Sequence, residues 1–329
     1  MDHHEPSAGS QLTRRSFLAA ATTVLVTADS ALAQPSGPPP GPRVKGPRVW
    51  LDMDQAELDA AYVRAEPAAD HSALRHQQRG RTRTPGRPAA PCLRCHPIEG
   101  LDIYTTKRPN APINIFIHGG AWRVGLAKEY AFAAELFVHA GAHLVLPDHV
   151  WVQDAGGNLI PLAEQVRRAV GWVYRNAHSF GGNPNRIYVS GHSSGAHLAG
   201  VVLTTDWPKD FNLPADIIKG GLCCSGMFDL KPVRLSARSR YVKFTDETEQ
   251  ALSSQRQLDK LHAPVIVAYG TLETPEFQRQ SRDFAAAVKA AGKRVELLVG
   301  EGSKSWRRLP VPYGLLGRAV LQQMNLPDA

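Results

Sequence analysis

The chain has 329 residues, 43% of them hydrophobic, with 38 lysines and arginines against 30 acidic residues and a formal net charge of +8. That apolar content is ample for the core of one folded domain, and four cysteines in this length exclude a disulfide-built scaffold. The basic excess is concentrated where aromatic residues are missing, which argues for a solvated charge run and excludes a nucleic-acid surface.

The N-terminal stretch Thr13-Arg14-Arg15-Ser16-Phe17-Leu18 carries a twin-arginine signature. An apolar run from Phe17 to Val26 and the small-residue exit Ala31-Leu32-Ala33 complete the pattern of a signal peptide. The run is too short for a spanning helix, which needs about 20 residues. Residues 1–33 are therefore read as a signal handled by the twin-arginine export machinery, with the mature chain starting at Gln34 in the periplasm or outside the cell. Residues 34–47, rich in Pro and Gly, read as a linker.

Residues 48–97 read as an irregular N-terminal segment. From Val63 to Ile103 there is no Phe, Trp or Tyr, and Arg64 to Pro97 carries seven arginines and five prolines against Glu66 and Asp70 alone. Such a stretch buries little apolar area. It also holds Cys92-Leu93-Arg94-Cys95-His96, a C-x-x-C-H match to haem attachment. No helical domain or distal ligand accompanies that motif, so the spacing is read as accidental, and no cofactor and no metal site is expected.

From residue 98 onward the pattern changes to strands and helices. Ile113-Asn114-Ile115-Phe116-Ile117 has a strand profile and runs directly into His118-Gly119-Gly120-Ala121-Trp122. A glycine pair there lets backbone amides approach a reacting carbonyl oxygen, and each fixed donor in such a hole lowers an acyl-transfer barrier by roughly 2.7–4 kcal/mol. His143 to Pro147 is the next strand. Arg186 to Ser190 is another, and it leads into Gly191-His192-Ser193-Ser194-Gly195 and a small-residue helix from Ala196. This matches G-x-S-x-G, in which a serine sits on a strained strand-to-helix turn with glycines at both flanks. Ser193 is the candidate nucleophile, and the amides of Gly119, Gly120 and Ser194 are the candidate oxyanion donors. His118 reads as a loop brace. Trp122 and Trp151 are candidates for lining an aromatic substrate pocket.

Further on, Gly220 to Ser225 and Ala263 to Tyr269 are strand-like, with Cys223 and Cys224 read as small core residues. Thr274 then reads as a helix N-cap with Pro275 at the first helical position and Phe277, Phe284 and Val288 on one apolar face. Arg294 to Val299 is the last strand, and Pro312 to Ala319 leads into a terminal amphipathic helix.

On these motifs, together with Pro97 to Tyr104 and Tyr269-Gly270-Thr271-Leu272-Glu273-Thr274-Pro275-Glu276-Phe277, the chain resembles the α/β-hydrolase superfamily. The likeness is to its HGG esterase branch and, within that, to kynurenine formamidase-like proteins; it runs from about Ile98 to Leu326, within a hydrolase domain read over residues 98–329. The resemblance implies a mostly parallel sheet flanked by helices, and a small ester or aryl formamide as substrate. It also implies Glu273 as the triad acid, and the strand end before Glu273 is where open α/β sheets place functional groups. No oligomeric state is assigned.

The expected chain order is Ser, then acid, then His. None of the thirteen histidines follows Glu273; the last is His262. Where a short Tyr-Asn-His-Phe-like loop is expected, the chain reads Gly300-Glu301-Gly302-Ser303-Lys304-Ser305-Trp306, with Ser305 in the place of the histidine. That loop and the Arg/Pro-rich segment share the bias of an out-of-frame GC-rich gene, so two compensated frameshifts are the expected origin. Two functional readings follow: a serine hydrolase impaired by loss of its base, or a catalytically inactive hydrolase-fold binding protein.

Overall fold

The computed structural model describes residues 43–62, 98–303 and 314–327. The stretch read as a signal peptide, the C-x-x-C-H motif, the segment 63–97 and Ser305 lie outside the described residues.

The elements, in chain order, are β1 (Arg48–Trp50), β2 (Met53–Asp54), α1 (Gln55–Tyr62), β3 (Leu101–Tyr104), β4 (Ala111–Ile117), α2 (Ala134–His139), β5 (His143–Pro147) and α3 (Ile160–Asn176). There follow β6 (Gly182–His192), α4 (Ser194–Leu203), α5 (Trp207–Phe211), β7 (Ile218–Cys224), α6 (Leu230–Leu235) and α7 (Asp246–Leu252). The last are β8 (Val265–Gly270), α8 (Pro275–Ala290), β9 (Val295–Gly300) and α9 (Leu315–Gln323). Strands β3 to β9 form one sheet in the order β3-β5-β4-β6-β7-β8-β9, in which only the β3–β5 pair is antiparallel. This is the α/β-hydrolase arrangement that the motifs imply.

Because successive strand residues face opposite sides, β4 feeds two cores. Ile113, Ile115 and Ile117 point into the one shared with α3, α4 and α8, and Phe116 into the one shared with α2 and α9. All seven residues of β4 are buried, the continuous apolar run expected of a parallel strand covered on both faces. Helix α3 shows the complementary pattern: Leu162, Val166, Ala169, Val170 and Val173 recur on one buried face. The parallel strands end on one edge, so the loops after β4, β6, β7 and β8 converge there, and these loops carry the candidate site.

The reading of residues 48–97 as irregular fails over its first part. Residues 48–54 form the antiparallel pair β1–β2, and α1 buries Leu58, Ala61 and Tyr62. The apolar content of that short stretch was masked by averaging it with the arginine-rich sequence that follows. Polar contacts fix α1 as well: the Tyr62 hydroxyl donates to Glu276 Oε2 at 3.0 Å, and the Thr274 hydroxyl donates to the Ala61 carbonyl at 2.6 Å. Thr274 thus occupies the N-cap position of α8, but its side chain makes no capping bond.

Candidate active site

Strand β6 reverses into α4 at Ser193, whose backbone is at φ 58°, ψ −122°. A non-glycine residue held in such a conformation stores about 1–3 kcal/mol, and the surroundings must over-determine it. Here its amide donates to the Cys224 carbonyl at 2.9 Å and its carbonyl accepts from the His197 amide at 3.1 Å. The flanking glycines are required by distance. A Cβ at Gly191 would lie 2.4 Å from the Gly195 oxygen, and one at Gly195 would lie 2.1 Å from the Ile117 oxygen and 2.5 Å from that of His118. The elbow is therefore packed, backbone against backbone, on the start of the oxyanion loop.

That loop is strained and pinned. Gly120 takes φ +126° with the Val124 oxygen 2.0 Å from where a Cβ would be, and Ala121 and Trp122 both have positive φ. The turn after β5 holds it from outside: Trp151 Nε1 donates to the Gly125 carbonyl at 3.0 Å, Val152 N to Trp122 O at 2.7 Å, and Gln153 Nε2 to Arg123 O at 2.8 Å. His118 Nδ1 lies 2.9 Å from the Gly119 oxygen, in the bracing position read from the sequence. Among the described residues the amides of Gly119 and Gly120 donate to no carbonyl. Ser194 opens α4, where the first amides have no intrahelical acceptor. Among the described residues the three candidate amides thus have no carbonyl acceptor, which is what an oxyanion hole requires of its donors.

The candidate acid, Glu273, is also held. Glu273 Oε1 accepts from the Ser225 hydroxyl at 2.7 Å and from the Gly270 amide at 2.9 Å, while its Oε2 is buried without a partner. An unpaired buried carboxylate oxygen costs free energy unless a donor meets it, and in a triad that donor is the histidine ring. Ser225, the last link in this chain and itself at φ 55°, carries no motif and was missed. The one available signal was its place directly after a strand that ends beside the nucleophile.

Among the described residues no histidine bridges Glu273 and Ser193. Among the described residues, no group is hydrogen-bonded to the Ser193 hydroxyl. His149 is buried and stacked on His118, with ring centroids 4.5 Å apart, and its Nδ1 lies 3.0 Å from the Val150 oxygen. Burial pushes its pKa down to about 3, and so weak a base is poorly matched to proton removal near neutral pH. His197 is committed to Trp122 Nε1 at 3.2 Å and to the Leu252 carbonyl at 3.0 Å, and burial lowers it to about 4. His192 lines a cleft on the α2/α9 face of the sheet with Phe116, Tyr130, Phe132, Phe137 and Leu316.

The two tryptophans are placed differently. Trp122 is 1% exposed and packs edge-on against His197, whereas Trp151 is half-buried and bonds the oxyanion loop. Both shape the loop through packing and hydrogen bonds.

Comparison with known proteins agrees with the geometry. The BD-FAE family model matches residues 101–219. The chain is 33% identical over 207 residues to a kynurenine formamidase of Salmo salar, covering 60% of this chain and 68% of that one. It is 24% identical over 230 residues to an isoprenylcysteine alpha-carbonyl methylesterase of Arabidopsis thaliana, covering 63% and 53%. Among solved structures it shares the fold of a Pyrobaculum calidifontis esterase, with a TM-score of 0.61 at 18% identity over 83% of this chain and 92% of that one. It also shares that of Thermogutta terrifontis esterase 2, a structure phosphonylated by sarin, with a TM-score of 0.58 at 19% identity over 74% and 93%.

Proposed function

The chain belongs to the kynurenine formamidase family, within the α/β-hydrolase esterases, and on that premise we propose a serine-hydrolase site for a small aryl formamide or short-chain ester whose turnover is crippled by loss of the triad base. In this reading Ser193 attacks the carbonyl, the amides of Gly119, Gly120 and Ser194 take up the negative charge, and water later releases the acyl group. The observation that carries the impairment is paired: Glu273 Oε2 is buried and unpartnered, and no described base meets the Ser193 hydroxyl. A neutral serine is a weak nucleophile. Loss of the base in such enzymes costs on the order of 10⁶ in kcat and leaves some 10³–10⁴ over water from the oxyanion hole and binding.

The same observation favours a second reading, a hydrolase fold kept for binding without chemistry. A fluorophosphonate probe separates the two. Slow labelling that is lost in Ser193→Ala supports the crippled hydrolase, and no labelling at all supports the binding protein. Export by the twin-arginine route belongs to the proposal too, supported by Arg14-Arg15 and the apolar run after them. Fractionation of expressing cells, with Arg14→Lys/Arg15→Lys as control, tests it.

A further inference from the structure

The apolar stripe of α3 is broken by an amide. Leu162, Val166, Ala169 and Val173 recur along its buried face, and Gln165, three residues from Leu162 and four from Ala169, is buried with them. A buried amide is costly unless its donors and acceptor are met. Here each end is fixed by its partner. The Val150 amide, which can only donate, gives to Gln165 Oε1 at 2.7 Å, and Gln165 Nε2 donates to Glu99 Oε1 at 2.9 Å. Glu99 is buried in turn, and its charge is met by an Nη of Arg168 at 2.9 Å, one turn further along α3. An ionised carboxylate only accepts, so Glu99 determines which way round the Gln165 amide lies.

What this amide holds is the turn after β5, residues 148–153. The turn supplies the outer bonds of the oxyanion loop, from Trp151, Val152 and Gln153 to the carbonyls of Gly125, Trp122 and Arg123. At its start the Asp148 carboxylate accepts from the Ala127 amide at 2.7 Å, where the loop ends, and the Asp148 amide donates to the Gly100 carbonyl at 3.0 Å, next to Glu99. Val150 lies in the middle of the turn, and its amide is the one tied to Gln165.

We propose that Gln165, oriented by Glu99, is a positioning residue for the oxyanion hole: its amide fixes the 148–153 turn, and the turn fixes the loop that presents the amides of Gly119 and Gly120. This rests on the serine-hydrolase reading above and adds to it residues that touch no substrate. Donors stabilise a developing oxyanion because they are already in place when the charge forms, and a misplacement of about 1 Å can cost on the order of 10² in rate.

Two measurements on the full chain test it: backbone hydrogen exchange followed by mass spectrometry, and the Ser193-dependent hydrolysis of p-nitrophenyl acetate, both at about pH 8, where carboxylates are ionised. Gln165→Met removes the acceptor at similar size, and Gln165→Glu sets a second carboxylate against Glu99. Each should speed exchange over residues 118–126 and 148–153 about 10- to 100-fold relative to β7, and lower kcat by about 10-fold or more with KM unchanged. Glu99→Gln alone should have little effect, because an amide oxygen can still accept from Gln165. Added to Gln165→Glu it should restore both readouts, since it again places an amide donor against an acceptor; a residue that merely fills the α3 stripe would show no such rescue. Exchange over 118–126 unchanged in Gln165→Met, acceleration spread evenly over the chain, a rate lowered only through KM, or no rescue by Glu99→Gln overturns the proposal. No Ser193-dependent hydrolysis by the unmodified chain overturns the hydrolase reading alone, because exchange is read without substrate. Should Gln165→Met not fold, Gln165→Glu with and without Glu99→Gln decides the matter.

Discussion

Replacing Gly195 with alanine is the sharpest perturbation of the elbow that leaves every functional side chain in place. The new methyl carbon would stand 2.1 Å from the Ile117 oxygen, 2.5 Å from the His118 oxygen and 2.7 Å from the His118 carbonyl carbon, all of them backbone atoms. Ordinary van der Waals contact begins near 3.4 Å, so α4 and the end of β4 must separate by about 1 Å. Ile117 pairs with Gly191 at the last rung of the β4–β6 ladder, and the strain is passed to the oxyanion loop. Overpacking of this kind costs about 1–3 kcal/mol when flexible side chains can yield, and backbone yields less. For a domain of this size each kcal/mol is worth about 2–4 °C in Tm, so Gly195→Ala should lower Tm by roughly 4–12 °C. The control is Gly292→Ala, where φ is +71° but nothing lies within 4 Å of the added carbon, so only backbone strain of about 1–2 kcal/mol applies. Thermal unfolding followed by circular dichroism measures both. A Gly195→Ala drop no larger than that of Gly292→Ala would refute the claim that the elbow is wedged against the oxyanion loop.

The buried histidines set the response to acid. His149 and His197 titrate near 3 and 4 when folded, against 6.5 ordinarily, because burial disfavours their charged forms; the unfolded chain therefore binds protons first as pH falls. Stability is fully present above about 6.5 and is lost below it, by about 1.4 kcal/mol per histidine per pH unit. Asp148 opposes this between its ordinary 3.8 and its raised value of about 6, also a result of burial, because there the folded state holds the extra proton. With these two histidines, and His118 and His143 lowered by burial in the same direction, against one carboxyl, urea midpoints should still fall from pH 6.5 to 4.5, and His149→Leu should flatten the slope; an unchanged slope would contradict the assignment. Glu273→Gln should leave hydrolysis by the unmodified chain unaltered, since among the described residues no ring bridges it to Ser193. In a chain whose 303–306 loop is rebuilt as Tyr-Asn-His-Phe, the same change should cost on the order of 10⁴ in kcat, and equal effects in the two backgrounds would disprove the broken relay.

The framework was legible because the residues that set it act locally. Alternation placed Ile113, Ile115 and Ile117 on one face, and the glycines at 119, 120, 191 and 195 mark backbone contacts that admit no side chain. Glu273 was singled out through chain order and the family likeness, and the structure fixes its carboxylate against Ser225 and Gly270. Ser225 was not legible, because its role depends on the β7 and β8 ends lying side by side, a long-range fact with no local periodicity. The helix α1 was obscured by the composition of the segment after it. Trp122 and Trp151 read as pocket walls because aromatic residues near a reactive loop suit an aryl group. The indole hydrogen bonds to His197 and Gly125 come from elements 75 and 26 residues away.

In the proposed site Ser193, the oxyanion amides and Glu273 stand without a base. This is tested most directly by the hydrolysis of N-formylkynurenine and p-nitrophenyl acetate by the unmodified chain, beside the chain with the rebuilt 303–306 loop and Ser193→Ala versions of both. The unmodified chain should show at most a trace rate, with a gain of several orders of magnitude, dependent on Ser193, after the loop is rebuilt. Turnover by the unmodified chain at about 1–10³ per second, abolished by Ser193→Ala, would contradict it and show that another group takes the serine proton.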